Sequence, residues 1–230
     1  MDRHNSIVSI IATFVVASLV GGTAGYAIGV SKNDTESSES SSSVTQVSSA
    51  SKAADLRAVL NNLETEHVDL ASAATRAGFD GSPMFDASAA SLDQNSVDLS
   101  KAIGSVYGAE AEAKFLEIWR SHIGFFVDYT VAAKAGETAG TDKAVQNLNG
   151  YVEAISDFLS KANPDLPKDA VASLITEHVN LLKSVVDKHA AGDYEGSHQS
   201  QEDTRTQIQT KIADTLSGAI IKQSPNKFKD

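Results

Sequence analysis

A chain of 230 residues that is 41% hydrophobic and holds four prolines suffices for one domain with a real core plus an appendage, and its 6% aromatic content favours helices over a β-sandwich. The formal net charge of −11, with lysines scattered singly among acidic residues, excludes the concentrated basic face that nucleic acid requires. The absence of cysteine excludes disulfides, thiolate metal sites, thiol catalysis and a lipid-modified N-terminal cysteine.

From Ile7 to Val30 no residue carries a charge. At ~1.5 Å rise per residue such a helix reaches about 35 Å, enough to cross a hydrocarbon core of roughly 30 Å. Arg3 and His4 precede it, while Asp34, Glu36 and Glu39 follow, which puts the N-terminus inside and the rest of the chain outside. Residues 1–31 therefore read as an uncleaved transmembrane anchor. Small residues at Gly22-Thr23-Ala24 and Gly25-Tyr26-Ala27 leave a cleaved signal peptide open, with a secreted product if residues 1–27 are removed. Gly21, Gly25 and Gly29 make two overlapping GxxxG steps, the spacing by which membrane helices self-associate. Residues 32–50 are rich in serine with almost nothing to bury, and read as a disordered tether.

The predicted body spans residues 51–223, with 224–230 as a tail. Its first helix keeps Leu56, Leu60, Leu63, His67, Leu70 and Ala74 on one seam and ends at Gly78. Ser82 and Pro83 then cap and open a second helix with Phe85, Leu92, Leu99, Ile103 and Val106 inward, stopping near Tyr107-Gly108. A third packs Phe115, Ile118, Trp119, His122, Phe125, Phe126 and Tyr129, the densest aromatic cluster of the chain. After a break from Gly136 to Thr141, a fourth carries Val145, Leu148, Val152, Ile155 and Leu159 up to Asn163-Pro164. A fifth follows Pro167 with Val171, Leu174, His178, Leu181 and Val185, and a sixth follows Gly192 with Ile208, Ile212, Leu216 and Ile220 after an unusually polar first half. Short connections make neighbours antiparallel. The expected fold is all-α: an up-down antiparallel bundle of about six helices preceded by a transmembrane helix.

Three segments are related: Thr65-Glu66-His67-Val68, Arg120-Ser121-His122-Ile123 and Thr176-Glu177-His178-Val179. Each histidine has an apolar residue four positions before it (Leu63, Ile118, Leu174) and a glycine fourteen positions after it (Gly81, Gly136, Gly192). A mark recurring on every second helix reads as three helical-hairpin repeats. Odd helices run parallel in such a bundle, so His67, His122 and His178 fall at one level.

The segments Asn95 to Gly108, Trp119 to Thr130, Ala162 to Val171 and Ala190 to Tyr194 resemble a bacterial extracytoplasmic helical domain. That domain often travels with a copper-amine-oxidase-like N-terminal module, and the resemblance covers roughly residues 52–222. It implies a helical fold in the cell envelope and says little about activity, because the copper name belongs to the attached module. Relatives of that kind carry a histidine and methionines where this chain has Gln207, Ile208 and Gln209, which takes away an inherited fourth ligand.

Imidazoles on one level are suited to copper or another transition metal, or to haem, which makes His67, His122 and His178 the candidate metal ligands. Glu66 and Glu177 adjoin two of them, and Glu64-x-x-His67 and Glu195-x-x-His198 have the i, i+3 spacing of di-iron bundles. A di-iron site also needs inward carboxylates on other helices, and the seams place the carboxylates outward. His189 falls near a helix C-terminus, where positive charge is favourable, and His198 in a polar stretch. No phosphate loop or nucleophile elbow occurs. Asp193-Tyr194-Glu195 is only faintly like the amine-oxidase motif of far longer β-rich enzymes. The expected function is a membrane-tethered, non-catalytic binding domain that holds a metal through the histidine layer. The alternative is an envelope protein-protein interaction or spacer module with structurally buried histidines.

Overall fold

The computed structural model describes residues 51–229, and the regular elements among them are all helical. They are α1 (Lys52–Asp80), α2 (Phe85–Tyr107), α3 (Ala109–Ala135), α4 (Thr138–Ala162), α5 (Lys168–Ala190) and α6 (Tyr194–Gln207). α6 passes through a π-helical turn, Ile208–Ile212, directly into α7 (Ala213–Gln223), so these form one sixth rod, followed by a short 3-10 turn at Pro225–Phe228. The chain is an all-α bundle. Among the described residues no helix is long and apolar enough to cross a membrane. The expected anchor, its three glycines and the serine-rich tether lie outside the described residues.

Consecutive rods pack side by side and reverse direction at each connection. α1 and α5 run parallel, since His67 meets His178 at mid-length and Asp80 meets His189 at their C-terminal ends. α3 runs the same way, with Lys134 reaching the carbonyl of Gly78. α1 packs against α2, α3, α5, α6 and α7, so it is surrounded on most sides. Its buried stripe is correspondingly wider than the sequence seam: Glu64, Val68, Ala71, Ser72 and Thr75 are buried along with Leu60, His67 and Ala74, while Leu56, Leu63 and Leu70 sit at its margins.

The glycines that follow the three histidines end their helices in the same way. Gly81, Gly136 and Gly192 have φ of 69°, 69° and 76°, left-handed values that a side chain resists. In each case the next residue's N–H bonds a carbonyl five positions back: Ser82 to Ala77, Glu137 to Ala132, Asp193 to Lys188. α1 thus continues past Gly78, the expected stop. Gly78 has a packing reason instead, because a Cβ there would come within 3.1 Å of the Phe85 ring. Ser82 turns back on Met84 N–H rather than capping α2, and α4 begins at Thr138, inside the expected break.

Trp119, Phe115 and Phe126 of α3 are buried in the main core with Leu148, Ile155, Leu182 and Val185, and Trp119 stacks on Phe115 at 5.1 Å between ring centroids. Trp119→Ala should lower the unfolding free energy by about 3–5 kcal/mol, against a change within about 0.5 kcal/mol for the exposed Lys143→Ala. Denaturant unfolding followed by circular dichroism measures both. Equal shifts would contradict the packing.

Candidate functional site

At mid-height the core is polar, and every rod contributes to it. α1 supplies Glu64 and His67, α2 Asn95, α3 Trp119 and His122, α4 Tyr151, α5 His178 and α6 Gln207. All are buried, with Glu64 at 4%, His67 at 1%, His122 at 2% and His178 at 5% exposure. The structure therefore brings the three expected histidines together. His67 and His178 ring centroids are 6.4 Å apart, and His67 and His122 5.4 Å.

The tightest contact is between His67 Nε2 and His122 Nε2, at 3.4 Å. Their protonation follows from what the other ring nitrogens meet. Gln207 donates its amide N–H to the Leu174 carbonyl, at 2.8 Å, so its Oε1 faces His178 Nδ1 as an acceptor, at 3.3 Å, and His178 Nδ1 carries the proton. Asn95 uses its amide hydrogens on the Leu63 carbonyl and Glu66, which leaves Oδ1 as the group it turns to His67. Asn95 Oδ1 and His67 Nδ1 are too poorly aligned for an ordinary hydrogen bond, and each lacks another partner. His122 Nδ1 is buried with no hydrogen-bond partner. Only His178 has an acceptor that places its proton on Nδ1. With one of the other two rings protonated at Nε2 the contact is an N–H···N hydrogen bond, and with both protonated at Nδ1 the two Nε2 lone pairs face each other.

Two facing lone pairs repel unless a cation or a proton lies between them. A proton held as imidazolium is disfavoured: burial lowers His67 to about 3 and His178 to about 4, and drives His122 well below the usual imidazole range, aided by the neighbouring histidines. A tetrahedral metal with bonds of 2.0–2.1 Å holds adjacent nitrogens about 3.3–3.4 Å apart, which matches the pair. Among the described residues no group of three or more His, Asp or Glu side chains could hold a metal ion as they stand, so coordination by all three histidines requires their side chains to move.

Glu64 is inside as well, which corrects the expectation that the carboxylates face outward. It lies one turn before His67, and α1 is enclosed on that side too, so the i−3 position turns inward with the histidine. Its Oε2 has no hydrogen-bond partner, and burial pushes its carboxyl up to about 8. With Tyr151, Trp119 and His178 it lines a cavity of about 30 Å³, the share of one water or one ion. Tyr151 stacks on His122, with centroids 4.5 Å apart, and its hydroxyl is driven upward by burial and by Glu64.

The other candidates go elsewhere. Glu66 is exposed and bonds Asn95, and Glu177 pairs with Lys211 at 2.7 Å. His198 and Glu195 are both exposed, so that i, i+3 pair has no inward face. His189 is buried near the end of α5 against Asp80, at 2.8 Å, and edge-on to Phe79. A wider hollow on the outer face of α5, from Ala172 to Leu181, is lined by that one helix and gathers no converging polar groups. Glu64, Asn95, Tyr151 and Gln207 were not singled out as site residues by the seams, and only Glu64 had a usable signal in its spacing to His67. No family model, curated protein or solved structure matches the chain.

The layer makes metal-free stability depend on pH in opposite directions. Histidines depressed in the fold but free to charge in the unfolded chain stabilise above about pH 6.5, and that contribution is lost as pH falls towards 3 to 4. Glu64, raised from 4.5 to about 8, stabilises below 4.5 and loses that contribution as pH rises through 8. Between these limits the three histidines outweigh one carboxyl by two protons, so stability should climb by roughly 2–3 kcal/mol per pH unit up to about 6.5 and then decline. Urea unfolding with chelator at about pH 5, 6.5 and 8 checks the maximum. Glu64→Gln should remove the alkaline decline and steepen the climb below pH 6.5, because the carboxyl no longer offsets one of the three histidine protons.

Proposed function

We propose that the chain is a membrane-tethered, extracytoplasmic, non-catalytic domain that binds a transition-metal ion through His67, His122 and His178. The 3.4 Å approach of two buried Nε2 atoms, on rings whose Nδ1 atoms have no hydrogen-bond partner, carries this reading. The cavity of about 30 Å³ favours a bare ion over haem, whose macrocycle needs a pocket of several hundred Å³. The cavity is small and walled largely by apolar side chains such as Leu60, Leu99, Ile103 and Ile155, which favours binding over catalysis. The like-shaped ends at Gly81, Gly136 and Gly192 support an origin in three hairpin repeats. In this reading the charge-free stretch from Ile7 to Val30 is the tether, and the chain is akin to the extracytoplasmic helical domains it resembles.

A second reading has one observation in its favour: 3.4 Å also allows a weak N–H···N hydrogen bond if one ring gives up its Nδ1 proton. The histidines would then be structural, in an envelope interaction or spacer module.

Metal analysis decides between them. The chain purified from membranes without chelator should hold about one equivalent of copper, zinc, iron or a similar metal, lost in His122→Ala and reduced in His178→Ala while helical content persists. Preparations empty of metal that take up none on titration would leave the structural reading. Fractionation should recover the intact chain with membranes and its body sensitive to protease from outside. Intact chain in the cytosol would refute the tether.

A further inference from the structure

The helices of the bundle are not all held in the same way. Where the others bury leucine, isoleucine, valine or aromatic rings, the buried side of α6 is Ser197, Ser200, Thr204 and Gln207, with no apolar residue among them. Its ties to α5 and α1 are hydrogen bonds. Ser200 meets Ser184 and Lys188, each at 3.0 Å, and Ser197 donates to the Val185 carbonyl at 2.9 Å. On the other side Arg76 and Asp69 of α1 hold Gln201, at 2.7 and 2.9 Å. When a helix lifts away, bonds of this kind are exchanged for bonds to water at little net cost, whereas apolar surface has no such replacement. α6 is therefore the helix that detaches most easily.

Both of its ends suit a hinge. Gly192, exposed and at φ 76°, precedes it, and the π turn Ile208–Ile212 follows it, where the α-helical ladder is already interrupted. Beyond Gln207 the rod buries Ile208, Ile212 and Ile220, so α7 stays anchored. Gln207, the last residue of α6, lies against His178 Nδ1 at 3.3 Å, and the three histidines are enclosed, at 5% exposure or less. A binding site so enclosed needs an entry path. We propose that α6 is a lid: it lifts from α1 and α5 between Gly192 and the π turn, draws Gln207 off His178 and opens the histidine layer to small ions from solvent. The lifting stands on the packing of α6 alone, while its use for metal entry rests on the histidine site proposed above.

The chain has no cysteine, so introduced thiols report without background. Ser72 lies on the face of α1 between Asp69 and Arg76, is fully buried, and its hydroxyl has no partner. Ser156 is equally buried on α4, which packs chiefly on α3 and α5. In the full chain in detergent, without denaturant, Ser72→Cys should react with a thiol reagent at least about 10-fold faster than Ser156→Cys, which only global unfolding uncovers. Amide hydrogen exchange of the wild type, which needs no variant, should likewise be faster across α6 than across α4. Ser184 and Ser200 are close enough for Ser184→Cys/Ser200→Cys to form a disulfide on oxidation. That bridge should slow zinc(II) uptake by the chelator-stripped protein by roughly 10-fold or more, and reductant should restore it. Equal labelling of the two single-cysteine variants, with α6 amides exchanging no faster than those of α4, overturns the lid and leaves the histidine site standing. Zinc(II) uptake unchanged by the disulfide overturns the role of α6 in entry. Fast labelling of Ser72→Cys together with no zinc(II) uptake by the wild type upholds the lid and overturns the metal site.

Discussion

Burying His67 against His122 and beside His178 in a water-excluded core is costly unless their ring nitrogens find partners, and the bundle supplies some of them. Asn95 is held by the Leu63 carbonyl and Glu66 so that its oxygen turns to His67. Gln207 is held by the Leu174 carbonyl so that its oxygen turns to His178. Each partner comes from a different rod, so a slip of any helix by one turn would strand a polar group in apolar surroundings, at about 1–3 kcal/mol each. A layer of this kind selects one register among the many that Leu, Ile and Val seams tolerate.

The sixth rod bears the geometric consequence. Along α6 the buried side is made of Ser197, Ser200, Thr204 and Gln207, small or hydrogen-bonded groups that let it lie close to α5. Immediately after Gln207 the backbone widens into the π turn, and Ile208 and Ile212 are both buried. In a regular α-helix, adjacent residues such as 207 and 208 point about 100° apart, so turning both inward and continuing with an apolar face requires a shift in phase. One π turn supplies it. The polar half and the apolar half of the rod thereby serve the same core.

The observed core is not the most stable one these helices could reach. Glu64 Oε2, Trp119 Nε1, Ser72 Oγ and the two Nδ1 atoms of His67 and His122 are buried without hydrogen bonds of ordinary geometry, and hydrophobic replacements would relieve most of that.

The seams, the six rods and the common level of His67, His122 and His178 were legible in the sequence, because apolar periodicity fixes which face of a helix turns inward and antiparallel connection fixes which helices run parallel. So was the recurrence of Gly81, Gly136 and Gly192, but not that Gly81 rather than Gly78 ends the first helix, since Gly78 answers to how closely Phe85 of another helix approaches. Tertiary structure alone chose between Glu64 and Glu66. Both adjoin His67 in the chain, but they point to opposite sides of α1, and only the number of neighbours around that helix determines that the Glu64 side is enclosed and the Glu66 side is a rim. The same holds for Asn95, Tyr151 and Gln207: in sequence they are ordinary polar positions on helices, and they become parts of a site only through the contacts of rods far apart in the chain.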